Sequence, residues 1–117
     1  MLAANAVIAP RLAGSGAARL VLCAHTHVTR VASVDGVVVV NPGSVGWPAY
    51  TDTHPLPHAV EAGSPHARYA VVTRSMRGWS AECRAVPYDW EAAAAQADRH
   101  GRPDIAYATR TGRVLPA

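Results

Sequence analysis

The chain has 117 residues, a formal net charge of +3 and a pI near 9.3, a length that allows one domain at most. Its 11 basic residues are scattered, with no basic run and no interleaving of basic and aromatic residues, so nucleic acid is not an expected partner. Leucine, isoleucine, valine and phenylalanine number only 23, near the low edge for a self-sufficient core, while the 16% of charged residues argues against outright disorder.

Leu2 to Pro10 is apolar but short, and the first arginine, Arg11, follows it, the reverse of a secretory signal. No run is long enough to span a bilayer. A short helix is expected here, packing Leu2, Ala6, Ala9 and Leu12 on a sheet and limited by Pro10. Gly14-Ser15-Gly16 then turns the chain into the next element.

Leu20-Val21-Leu22-Cys23 is continuously apolar, the pattern of a strand buried on both faces. If the chain stays extended through Ala24-His25-Thr26-His27, His25 and His27 point to one face, about 6–7 Å apart. Two such imidazoles ligate one transition metal, or reach two metals about 3.5–4 Å apart. The plainer alternative is a pair of polar residues where a strand exits into a turn.

Asp35-Gly36 separates two β-branched segments, which predicts a hairpin, since both turn residues tolerate positive φ. The return strand, Val37 to Val40, carries Asn41-Pro42-Gly43-Ser44-Val45-Gly46 back toward the histidines. The glycines let the backbone approach a ligand closely, so Asn41, Gly43 and Ser44 are expected in an active-site or substrate-binding turn. Ser44 is not expected to be a nucleophile, because Gly43 immediately precedes it and the nucleophile elbow needs glycine two residues before the serine. No catalytic residue is assigned.

From Trp47 to His66 the prolines at 48, 55, 57 and 65 leave no strand or helix period. This predicts a long loop shaping substrate entry, with His54, His58 and His66 in solvent. Arg68 to Arg74 and the alternating Trp79, Ala81, Cys83 and Ala85 predict an antiparallel pair joined through Ser75-Met76-Arg77-Gly78. Asp89 is the expected N-cap of a helix with Trp90, Ala94 and Ala97 on one face; Gly101 stops it and Pro103 opens another. Cys23 and Cys83 form no Cys-x-x-Cys pair and are expected as reduced, strand-borne structural thiols of a cytoplasmic protein.

The order of apolar strand, Ala24-His25-Thr26-His27, hairpin and Asn41-Pro42-Gly43-Ser44-Val45-Gly46 resembles the C-terminal part of calcineurin-like metallophosphoesterases, in their small bacterial phosphodiesterase-like branch. Ala67 to Val72 resembles that family's next core strand, and Trp79 to Asp89 its last. Ala24 stands where the family usually has glycine. The resemblance implies an α/β fold, the C-terminal part of a two-sheet β-sandwich flanked by helices, with residues 1–117 forming one partial domain. It implies hydrolysis of a phosphate ester at a dinuclear centre of divalent transition metals (manganese, iron, zinc or nickel), to which this chain supplies His25 and His27. The family's Asp-x-His, Gly-Asp-x-x-Asp and Gly-Asn-His motifs do not occur before Leu20, so the isolated chain is expected to be inactive. A phosphorylated small molecule is then the substrate, and the partner is either a complementing N-terminal half or a second copy. The alternative is a non-catalytic remnant that serves as a metal-binding or interaction module.

Overall fold

The computed structural model describes residues 3–117. Its elements run α1 (Asn5–Ile8), a 3-10 turn (Ala9–Ser15), β1 (Leu20–Leu22), β2 (Arg30–Val34), β3 (Val37–Asn41), β4 (Ala49–Asp52), β5 (His58–Glu61), β6 (Ala67–Ser75), β7 (Gly78–Val86), α2 (Trp90–Arg99) and α3 (Pro103–Thr111). The fold is mixed α/β, with three separate small sheets and three helices among the described residues. Among the described residues no helix is long and apolar enough to cross a membrane.

The central sheet has the order β1-β3-β2, with β1 parallel and β2 antiparallel to β3. The hairpin forms where Asp35-Gly36 predicts it: φ is 51° at Asp35 and 77° at Gly36, and Val34 pairs with Val37 across the turn. The central position of β3 explains its four consecutive valines, with Val37, Val39 and Val40 buried and Val40 fully so. The strand β1 differs from expectation. It ends at Leu22 on the sheet's edge, and Leu22 is 62% exposed, so it is not buried on both faces.

The segment expected to be a loop contains a hairpin, β4 paired antiparallel with β5 from Ala49↔Glu61 to Asp52↔His58. Prolines 48, 55 and 57 flank these strands rather than interrupt them, where a missing N–H costs no ladder bond. The pair β6–β7 has the predicted register, Arg74 opposite Trp79 and Arg68 opposite Ala85. Only Trp79 and Ala81 of β7 are half-buried; Cys83 and Ala85 face solvent. Cys23 is exposed too, so neither thiol is buried.

The helices follow their sequence signals. The Asp89 carboxylate accepts from the Ala92 N–H at 3.0 Å, Gly101 takes φ 70°, and Pro103 opens α3. The buried residues of α2 and α3 are Ala94, Ala106, Ala108 and Thr109, and the two helices pack against each other. Arg110 of α3 clamps the pair by reaching Glu91 at 2.7 Å and Asp98 at 2.9 Å. The N-terminal segment is short and largely exposed, with Val7 at 47%; Leu2 lies outside the described residues. A radius of gyration of 16.2 Å exceeds the roughly 13 Å of a compact chain this long, because the sheets are spread out with little core between them.

Candidate functional site

The chain does not stay extended through the two histidines. His25 has φ 83° and His27 φ 55°, both left-handed, so residues after Leu22 form a turn instead of prolonging β1. Strand alternation therefore does not align the imidazoles. Each packs on Tyr50 instead: its ring lies 6.1 Å from that of His25 and 4.8 Å from that of His27, and its hydroxyl donates to the His25 carbonyl at 2.5 Å. The positive φ angles cost on the order of 1–3 kcal/mol each and persist because the surroundings hold them.

The hydrogen bonds decide which nitrogens are free. His27 Nδ1 lies 2.7 Å from the Trp47 carbonyl oxygen. A carbonyl only accepts, so Nδ1 carries the proton and Nε2 of the neutral ring keeps its lone pair. A backbone carbonyl in this role is the usual orienting partner of a metal-ligating histidine. His25 is arranged differently. Its Nε2 faces the Asp52 carboxylate at 3.9 Å, and its side chain is 78% exposed.

Asp52 is held ionised by its own strand end. The backbone N–H groups of His54 and Thr53 donate to its Oδ1 at 3.1 and 2.6 Å and lower its pKa, with smaller contributions from His58 and His25. Burial raises the pKa of Tyr50, and the Asp52 charge adds to the effect, so its phenol remains a donor at neutral pH.

Asn41, Gly43 and Ser44 brace the site from behind. The buried Asn41 amide donates to Thr26 Oγ1 at 2.8 Å and accepts from the Gly43 N–H at 3.0 Å, tying the histidine turn to the glycine turn. Ser44 Oγ accepts from the Trp47 N–H at 2.9 Å, which fixes the residue whose carbonyl orients His27. Gly43 has φ 93°, and a Cβ there would lie 2.7 Å from Thr29 Oγ1. Of the more distant histidines, His66 packs on Trp90 at 5.4 Å and is half-buried rather than solvated. His54 and His58 are exposed.

Trp47, Tyr50 and Asp52 were not among the residues singled out from sequence. The strand signal that could have found them is the alternation of Tyr50 and Asp52 about Thr51, hidden by the prolines around it. As a metal site the arrangement is incomplete: among the described residues no three His, Cys, Asp or Glu side chains are placed to hold an ion. Two imidazoles fit such an ion as donors but do not enclose it.

Residues 3–62 match the family model of the calcineurin-like phosphoesterase superfamily domain. The matched span runs from the N-terminal helix through the histidine turn, the glycine turn and the β4–β5 hairpin. The chain belongs to this phosphoesterase family, whose members generally use divalent metals. No curated protein and no solved structure matches it.

Proposed function

We propose that this chain contributes His25 and His27 to the dinuclear metal centre of an enzyme that hydrolyses phosphate esters, and that the remaining ligands and the proton donor come from outside it. The observation that carries this is the hydrogen bond from His27 Nδ1 to the Trp47 carbonyl, which leaves Nε2 of a fixed ring available to a cation. The spread-out sheets and the exposed Leu22, Val31, Tyr69 and Val71 support a domain completed by further chain, since such faces are normally covered. A bound divalent ion would supply charge to stabilise the phosphoryl group. The chain's own residues have a positioning role: Trp47 and Tyr50 orient the imidazoles, and Asn41 locks the two turns together.

The test is zinc binding followed by NMR of the histidine rings. Zinc should shift the resonances of His25 and His27 ahead of His54, His58, His66 and His100, and the isolated chain should give no zinc-stimulated hydrolysis of an aryl phosphate. Addition of a polypeptide carrying the missing carboxylate motifs should produce that hydrolysis. Zinc affinity unchanged in a His25→Ala/His27→Ala variant overturns the proposal.

A further inference from the structure

A phosphoester whose phosphate lies at the two imidazoles must send its organic group somewhere, and one side of the site is walled by aromatic rings. Trp47 and Tyr50 stand 5.8 Å apart with their planes at 53°, and they lie 6.0 and 4.8 Å from the His27 ring. Trp47 is unusual in that its main chain is pinned at both polar groups. Its N–H donates to Ser44 Oγ and its carbonyl accepts from His27, while the residue stays 46% exposed. An indole carried on a pinned main chain, facing solvent beside candidate ligands, offers a contact surface whose backbone needs no further ordering.

The same two residues line a groove of about 440 Å³, together with the apolar Ile105 and Leu115 and the Arg102–Asp104 ion pair. That volume and this mixture of aromatic, aliphatic and a few charged groups suit a small-molecule site. A second groove, about 320 Å³ between the end of β1 and β6, is lined by Leu22, Val40, Ala70 and Val72 among others. It has no aromatic ring and no charged side chain, and its walls are the sheet face itself.

We propose that Trp47 and Tyr50 form a stacking subsite for a planar aromatic organic group of the phosphoester, so that aryl or heteroaryl phosphates are preferred over aliphatic ones. The preference rests on the phosphoesterase reading, whereas the stacking subsite can be tested apart from it. Stacking on an aromatic side chain is worth about 1–3 kcal/mol per base, which corresponds to roughly five- to 150-fold in affinity.

The experiment is NMR titration of the full 117-residue chain with zinc present, using adenosine, AMP, ribose 5-phosphate and inorganic phosphate as probes. Adenosine and AMP should shift the Trp47 indole N–H, and ribose 5-phosphate should not. Trp47→Leu should weaken AMP at least fivefold more than it weakens inorganic phosphate; Trp47→Phe, which keeps a ring, should restore most of that difference. No Trp47 response to adenosine or AMP, or equal affinity of AMP and ribose 5-phosphate in wild type and Trp47→Leu alike, overturns the subsite. Loss of the inorganic phosphate response at His25 and His27, with the adenosine response retained, counts against the phosphoesterase reading and leaves the stacking surface standing.

Discussion

Gly43 can be replaced without touching a candidate ligand, and the cost separates into two measurable parts. Its φ of 93° is a conformation that a residue with a Cβ rarely takes, which costs about 1–2 kcal/mol. In addition, a Cβ would lie 2.7 Å from Thr29 Oγ1 and 3.1 Å from Arg68 Cβ. Thr29 cannot move away freely, because its hydroxyl donates to the Pro42 carbonyl at 3.1 Å. Crowding of this kind typically costs about 1–3 kcal/mol, so Gly43→Ala should lose roughly 2–5 kcal/mol in all. Gly36 is the control. It has φ 77° but open space around its Cβ position, so Gly36→Ala should lose only the conformational part, about 1–2 kcal/mol. Urea denaturation of both variants measures the difference directly. Gly43→Val adds a β-branched side chain and should also weaken zinc binding, since the turn fixes Ser44 and through it Trp47. A Gly43→Ala variant no less stable than Gly36→Ala would refute the close approach of the two turns.

Other expectations follow from single contacts. A Cβ at Gly112 would overlap the Ser64 backbone, so Gly112→Ala should lower the melting temperature far more than Gly101→Ala, which meets open space at a similar φ. Asp89→Ala removes the cap on the Ala92 N–H and should cost about 1 kcal/mol, read from the same denaturation curves. Arg102 holds the Asp104 carboxyl at a pKa of about 2, below the ordinary 3.8. A depressed carboxylate stabilises the fold above its unfolded pKa and loses that contribution as pH falls through the folded one. The contribution of the Arg102 pair should therefore be complete above about pH 4 and vanish toward pH 2. NMR titration of Arg102→Gln should find the Asp104 pKa moved back up. If a second copy completes the metal site, sedimentation should show zinc-dependent dimers that are lost in His25→Ala/His27→Ala; a mass independent of zinc excludes that partner.

By itself the sequence determined the elements whose signals are local. Asp35-Gly36 set the central hairpin through two positive φ angles. Trp79 and Ala81 set the half-buried face of β7, and Asp89, Gly101 and Pro103 set the ends of the helices. The family was also legible, from the two-part motif of His25, His27 and the Asn41–Gly46 turn. Tertiary structure decided what depends on neighbours distant in the chain. Apolar composition could not show that Leu22 lies at an open sheet edge, since exposure depends on which strands are present to cover it. Strand periodicity placed the histidines on one face. A left-handed bend braced by Asn41, Trp47 and Tyr50 sets each ring against Tyr50 instead. Those braces cross 15, 20 and 25 residues, a separation over which no local pattern operates, and the β4–β5 hairpin that delivers Tyr50 and Asp52 is masked by the prolines that bound it.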